Sequence, residues 1–214
     1  MPSAANADRP SGPFLALLRK SLELWLRSQC EGVEELELQL EGSISQLLQG
    51  SVQGVRLRAK RAVFQSLSLE AVDLASEPIR LKLPGVLRGA PPQLEQPFLV
   101  RGSVVFSAEG LSRSLASPAW QGFADDLCRQ LLGGGALGEV GLEDGRLILR
   151  ARSPQGEELE VLDTRMELTP SGLELCPLKG GQSYPIPLDG AIQLERAEVR
   201  QGWLEFAGVA RVQP

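Results

Sequence analysis

The chain contains no histidine. A Ser-His-Asp or Cys-His nucleophilic site is therefore excluded, and so is zinc held by imidazole. Its three cysteines, Cys30, Cys128 and Cys176, are far apart and have neither Cys-x-x-Cys nor metal-ligand spacing. They read as small buried or half-buried residues of a reducing compartment. Aromatic residues make up only 5% of the chain, so leucine, valine, alanine and isoleucine must build the core. An excess of positive charge is also missing. The formal net charge is −5, which argues against a general nucleic-acid binder. No apolar run approaches the roughly eighteen residues of a membrane-spanning helix. The opening MPSAANADRPSG lacks the basic start and apolar core of a secretory leader. The expected location is the cytoplasm or the periphery of a membrane.

What is present is ample for folding. An apolar fraction of 43% in 214 residues excludes wholesale disorder and allows one substantial core. Residues 1–11 are small, polar and proline-containing and are expected to be a disordered tail. From residue 12 a single domain is expected. A helix over 13–29, PFLALLRKSLELWLRSQ, can be capped by Ser11 or Gly12, with Pro13 in its first turn. At 100° per residue, Phe14, Leu15, Leu17, Leu18, Leu22, Leu24, Trp25 and Leu26 fill a wide arc. Arg19, Lys20, Glu23 and Arg27 fill the remainder. The arc is about twice the ~100° stripe that packs on one flat sheet. Either a curved sheet wraps the helix, or the helix lies on a membrane.

The stretch from Gly42 to Leu83 organises the rest. Val55, Leu57 and Ala59 alternate with Arg56, Arg58 and Lys60. Leu67 and Leu69 alternate with serines and Glu70. Ile79, Leu81 and Leu83 alternate with Arg80 and Lys82. Successive strand side chains point to opposite faces, so this is an antiparallel sheet covered on one side. The phase slips at Arg61 and again at Ala71–Val72, which predicts two β-bulges and a curled sheet. Before this stretch, VEELELQLEG is a strand and SISQLLQG a short helical turn. Pro78 marks a break or a sheet edge. Residues 84–97 are a loop by composition. A strand follows from Phe98, then two short helices within 108–132, started by Ser107 and by Ser117–Pro118. Trp120, Phe123, Leu127 and Leu131 share one face of the second. Residues 136–212 read as a β-meander of five or six strands, with turns at Asp144–Gly145, Pro154–Gly156, Ser171–Gly172 and Gln201–Gly202.

The basic row Arg56, Arg58, Lys60 and Arg61 is the sharpest local feature. Like charges on one strand face repel unless anions sit nearby. The Glu35, Glu37 and Glu41 row of the preceding strand and lipid phosphates both qualify, and the two are not exclusive. Asp125–Asp126 and Glu143–Asp144 lack the neighbours a metal needs. Gly133–Gly135 lacks the lysine and hydroxyl of a phosphate loop. No catalytic residue, metal ligand or cofactor is assigned.

The segments VEELELQLEGSISQLLQGSVQGVRLRAKRAVFQSLSLEAVDL, IRLKL and SAEGLSRSLASP resemble the LmeA-like phospholipid-binding family, in its cyanobacterial branch. With the helix before them they cover roughly the first 120 residues. These are patterns of fold rather than of catalysis. The resemblance implies a soluble or peripheral protein that binds phospholipid; the missing histidine and the absence of a paired acid-base motif argue against an enzyme. It favours the curved sheet over the membrane as the cover for the helix.

The expectation is therefore an α+β domain, a curved, mostly antiparallel sheet wrapped against a long N-terminal helix with two short central helices. Acyl chains would enter an apolar groove lined by Leu57, Ala59, Leu67, Leu69 and Leu81. Arg56, Arg58, Lys60 and Arg61 would meet the headgroup or an anionic membrane. Lipid transfer or envelope maintenance is the implied role. The rival class is an adaptor that docks a protein partner through the helix or a sheet edge. A continuous apolar cavity separates the two, because an adaptor needs a filled core and an exposed patch.

Overall fold

A computed structural model describes residues 13–82, 93–152 and 159–214. The tail, the Ser11 or Gly12 cap, Leu83, most of the 84–97 loop and the Pro154–Gly156 turn lie outside these residues. So do the side chains of Phe14 and Leu15.

Helix α1 (Pro13–Gln29) precedes strand β1 (Gly32–Glu41). Helix α2 (Ile44–Leu48) is the expected single turn, closed by a capping box in which the Ser43 hydroxyl accepts from the Gln46 N–H. Strands β2 (Ser51–Val52), β3 (Gly54–Phe64), β4 (Leu67–Ser76), β5 (Ile79–Arg80) and β6 (Phe98–Ser107) follow. Helix α3 (Ala108–Leu115) is capped by Ser107, whose hydroxyl accepts from the Gly110 N–H at 3.0 Å. Helix α4 (Gln121–Leu132) begins later than Ser117–Pro118 suggested, without a side-chain cap. The Trp120 indole N–H donates instead to the Gln65 carbonyl at 2.9 Å, which ties the start of the helix to the turn between β3 and β4. Strands β7 (Ala136–Glu143), β8 (Arg146–Arg152), β9 (Leu159–Thr169), β10 (Gly172–Pro177), β11 (Tyr184–Ile186), β12 (Ile192–Arg200) and β13 (Trp203–Val212) complete the chain.

The C-terminal strands do not form one meander. Strands β7 to β11 make a five-stranded antiparallel sheet in the order β11-β10-β9-β8-β7. The last hairpin leaves it and completes a six-stranded sheet in the order β1-β3-β4-β6-β13-β12. Strands β2 and β5 pair separately, so Pro78 stands where the chain leaves the large sheet for that small ladder. The layout is α+β with open, antiparallel sheets.

The helix differs from the long one expected. At 17 residues α1 runs ~25 Å, whereas the 10 residues of β1 run ~34 Å. Its main packing partner in the sheet is β1, the edge strand. Helix α3 packs on β4 and β6 further along the same sheet.

Two cores result. Leu18 and Leu22 of α1, Leu38, Leu47, Val52, Ile79 and Leu81 form the upper one. Phe106, Leu127, Val140, Leu147, Leu149, Leu175, Tyr184, Val199 and Leu204 form the lower one, between the two sheets and helices α3 and α4. Serines on α3 stitch that helix into place. Ser114 accepts from the Ser68 N–H at 2.8 Å, and Ser112 accepts from the Val140 N–H at 2.9 Å.

Between the cores the side chains change face. Lys60 and Arg61 are both exposed, while Ala59 and Ala62 are both buried. Glu34 and Glu35 do the same opposite them on β1, and Leu69 and Val72 both turn inward on β4. The register is the same on both sides of Arg61 in both ladders, so no extra residue is inserted and the expected bulges are absent. Three neighbouring strands change phase together, with Arg61 at φ 45°. The one register shift in the large sheet lies on β12, between Leu194 and Arg196.

Tyr184, the only tyrosine, seals the lower core. It is 4% exposed, and its hydroxyl donates to Asp126 Oδ2 at 3.0 Å. Burial first, then this hydrogen bond and the Asp126 charge, push its pKa up to about 12. The unfolded phenol titrates near ~10, so between these values the unfolded chain releases a proton that the folded one keeps. Stability is complete below ~pH 10 and falls by roughly 2–3 kcal/mol as pH rises to ~12. Ultraviolet absorbance of tyrosinate reads this single group. A midpoint near the free value in the folded protein would contradict the burial.

Candidate functional site

A cavity of about 240 Å³, partly open to solvent, lies beneath α1. It exceeds the ~150 Å³ of apolar cavities that stay dry and accept a benzene-sized guest. Leu22, Trp25 and Leu26 of α1 form its roof. Leu38 of β1, Val55 and Leu57 of β3, and Leu74 and Ser76 of β4 form the near wall. Phe98 and Val100 of β6 and Val212 of β13 form the floor beyond the helix. Ile79, Leu81 and Leu94 close one end. The placement of α1 over the edge strand is what leaves this volume unfilled.

The alternation of the strands brings these residues together. One register row runs Leu38, Leu57, Leu74, Gly102, Gly208 and Leu194 across six strands. The three leucines at its start line the cavity. The facing glycines in the middle carry no side chain, so the row has no bulk at the centre of the sheet. A Cβ on Gly102 would lie 2.1 Å from the Asp73 carbonyl oxygen and 2.8 Å from a Leu74 methyl. The neighbouring strand thus occupies the space that any side chain would need, as at a sharply coiled strand.

The lining is almost free of polar groups. Ser76 is the one hydroxyl, and its oxygen already accepts the Val55 N–H at 2.9 Å. No charged side chain lines the wall. Among the described residues no group of three cysteine or acidic side chains is placed to hold a metal ion. The arrangement can exclude an apolar chain from water, and it offers no partner to a charged headgroup.

Of the residues singled out in the sequence, Leu57 and Leu81 line the cavity. Ala59 is 7% exposed and packs with Leu36 and Ala62 just outside it. Leu67 and Leu69 pack against the lower core. Sequence reading missed Leu22, Trp25, Leu74, Val100 and Val212. Leu74 carried a signal, since it follows the slip in β4 on the inner face. Val100 and Val212 carried none, because β13 reaches the site only through the closing hairpin.

The basic row stands on the outer face of β3, opposite to Leu57. Lys60 pairs with Glu35 at 2.8 Å, as the acidic row on β1 suggested. Arg58 turns the other way, to Asp73 on β4 at 3.0 Å. Arg61 pairs with Glu34, and this hydrogen bond holds the Glu34 carboxyl below its ordinary value. Arg56 faces Gln39 and Ala75 across its two ladders and has no carboxylate partner among the described residues. All these pairs are exposed, where such contacts contribute at most about 1 kcal/mol. Cys128 is buried, Cys30 and Cys176 are half-buried, and all three are free. Burial raises each thiol above its ordinary value.

No helix among the described residues is long and apolar enough to cross a membrane. Residues 11–209 match the model of a family described as LmeA-like phospholipid-binding. No curated protein and no solved structure matches the chain.

Proposed function

The chain belongs to the LmeA-like phospholipid-binding family, and on that premise we propose that it binds one acyl chain of a phospholipid in the cavity beneath α1, without catalysis. The observation that carries this reading is an unfilled apolar cavity whose single hydroxyl is already satisfied. Burying each methylene stabilises the complex by ~0.8 kcal/mol, so about six supply ~5 kcal/mol. With no charged group on the wall, affinity follows the chain and the headgroup stays in water. The outer position of Arg56, Arg58, Lys60 and Arg61 supports contact with anions in solution or on a surface, not with the head of a lipid held inside. Arg56 is the member of that row best placed to make it. Lipid transfer between membranes or envelope maintenance follows naturally from a carrier of this kind, and the cyanobacterial branch is part of the same reading.

Native mass spectrometry of the gently purified full chain, followed by lipid extraction, tests the proposal. The expected result is one lipid per chain, with mixed headgroups. A clean apo mass that survives incubation with phospholipid sinks the carrier and moves the assignment to an adaptor.

A further inference from the structure

The core and the cavity take up only part of the wide apolar arc of α1. Leu18, Leu22, Trp25 and Leu26 turn inward to the core and the cavity roof. Leu17 and Leu24 do not. They are 53% and 59% exposed. Seven residues apart, they lie ~20° from each other around the axis and form one outward line. Lys20 lies beside that line, one turn from each leucine, and is exposed.

The charge on this helix is opposite to that of the protein. Helix α1 carries Arg19, Lys20 and Arg27 against Glu23 alone, while the whole chain has a net charge of −5. Glu23 is taken up by Arg27 at 3.5 Å. Arg19 and Lys20 have no carboxylate partner among the described residues. A line of exposed leucine with a lysine beside it, on a helix of net positive charge, suits the plane of an anionic bilayer, where the apolar residues enter the acyl boundary and the cation meets phosphate.

We propose that the outward face of α1, through Leu17, Leu24 and Lys20, docks the protein on the surface of an anionic lipid bilayer. This rests on the lipid-binding reading above for its purpose. The same helix roofs the cavity with Leu22, Trp25 and Leu26, so docking sets the cavity against the membrane from which a chain would enter or leave.

The test is flotation of the full chain with phosphatidylcholine vesicles, with and without phosphatidylglycerol. Native mass spectra of the same samples report cavity lipid separately. Wild-type protein is expected to float with phosphatidylglycerol vesicles, less so at raised salt, and weakly with phosphatidylcholine alone. The double substitution Leu17→Glu with Leu24→Glu is expected to lower binding at least tenfold while the co-purified lipid is retained. Lys20→Glu, at a fully surface position, is expected to lower it severalfold and only on the anionic vesicles. The proposal is overturned if the double variant floats like wild type, or if phosphatidylglycerol makes no difference. It is overturned equally if the leucines prove to hold two copies of the chain together, seen as a dimer that the double variant splits. Loss of cavity lipid with vesicle binding intact would instead remove the carrier reading and leave the docking face standing.

Discussion

Gly102→Ala is expected to destabilise the protein by at least ~3 kcal/mol, at the upper end of what overpacking costs. At this chain length that lowers the thermal midpoint by roughly 6–12 °C. The sign is informative. Alanine ordinarily improves on glycine in a strand, because glycine loses more backbone entropy on folding and packs no side chain. Here the added methyl would meet the Asp73 carbonyl oxygen at 2.1 Å and the Leu74 Cα at 2.9 Å. Both are backbone atoms of the adjacent strand and cannot swing aside. Gly208, directly opposite in the ladder, is in the same position, with the Gln193 carbonyl oxygen 2.2 Å from its Cβ site. Gly138, on the second sheet, meets nothing closer than 3.4 Å and serves as the control. Calorimetry of the Gly102→Ala and Gly138→Ala variants decides the matter. If both raise the midpoint, the strands are not coiled as described.

Leu57→Trp is expected to weaken phospholipid binding about a hundredfold. The larger side chain projects from the cavity wall into the space that an acyl chain would take. Displacing about three to four methylenes at ~0.8 kcal/mol each removes about 3 kcal/mol, which is two decades in the dissociation constant. The fold is expected to survive, because the added bulk enters empty volume rather than a filled core. Leu69→Ala provides the contrast. It removes apolar surface from the lower core, on the far side of the phase change, and should lower stability without altering lipid affinity. Equal loss of binding in both variants would mean that the lipid lies elsewhere or that stability alone governs retention. Titration with a fluorescent phospholipid, alongside a melting curve for each variant, separates these outcomes.

Much of this architecture was written in local pattern. The period-two alternation of β1, β3 and β4 fixed their faces, since a slip of one residue would turn every leucine outward. Ser107 marked a helix start because its hydroxyl satisfies an N–H group that the helix cannot. The surplus width of the apolar arc on α1 was also legible, although the choice between sheet and membrane was not.

The site was legible only in part. Leu57 and Leu81 announced an inward face, but Ala59, Leu67 and Leu69 shared that signal and went to other clusters. Alternation gives the side of a sheet on which a residue stands and says nothing of what lies above it. Tertiary structure decided that α1 would sit over the edge strand, which opened the cavity. It brought Val212 to the floor by returning the last hairpin to the first sheet, since strand pairing is chosen across the whole chain. It also set the partners of the basic row, sending Arg58 to Asp73 rather than Glu37, because each strand has two neighbours and the sequence names neither.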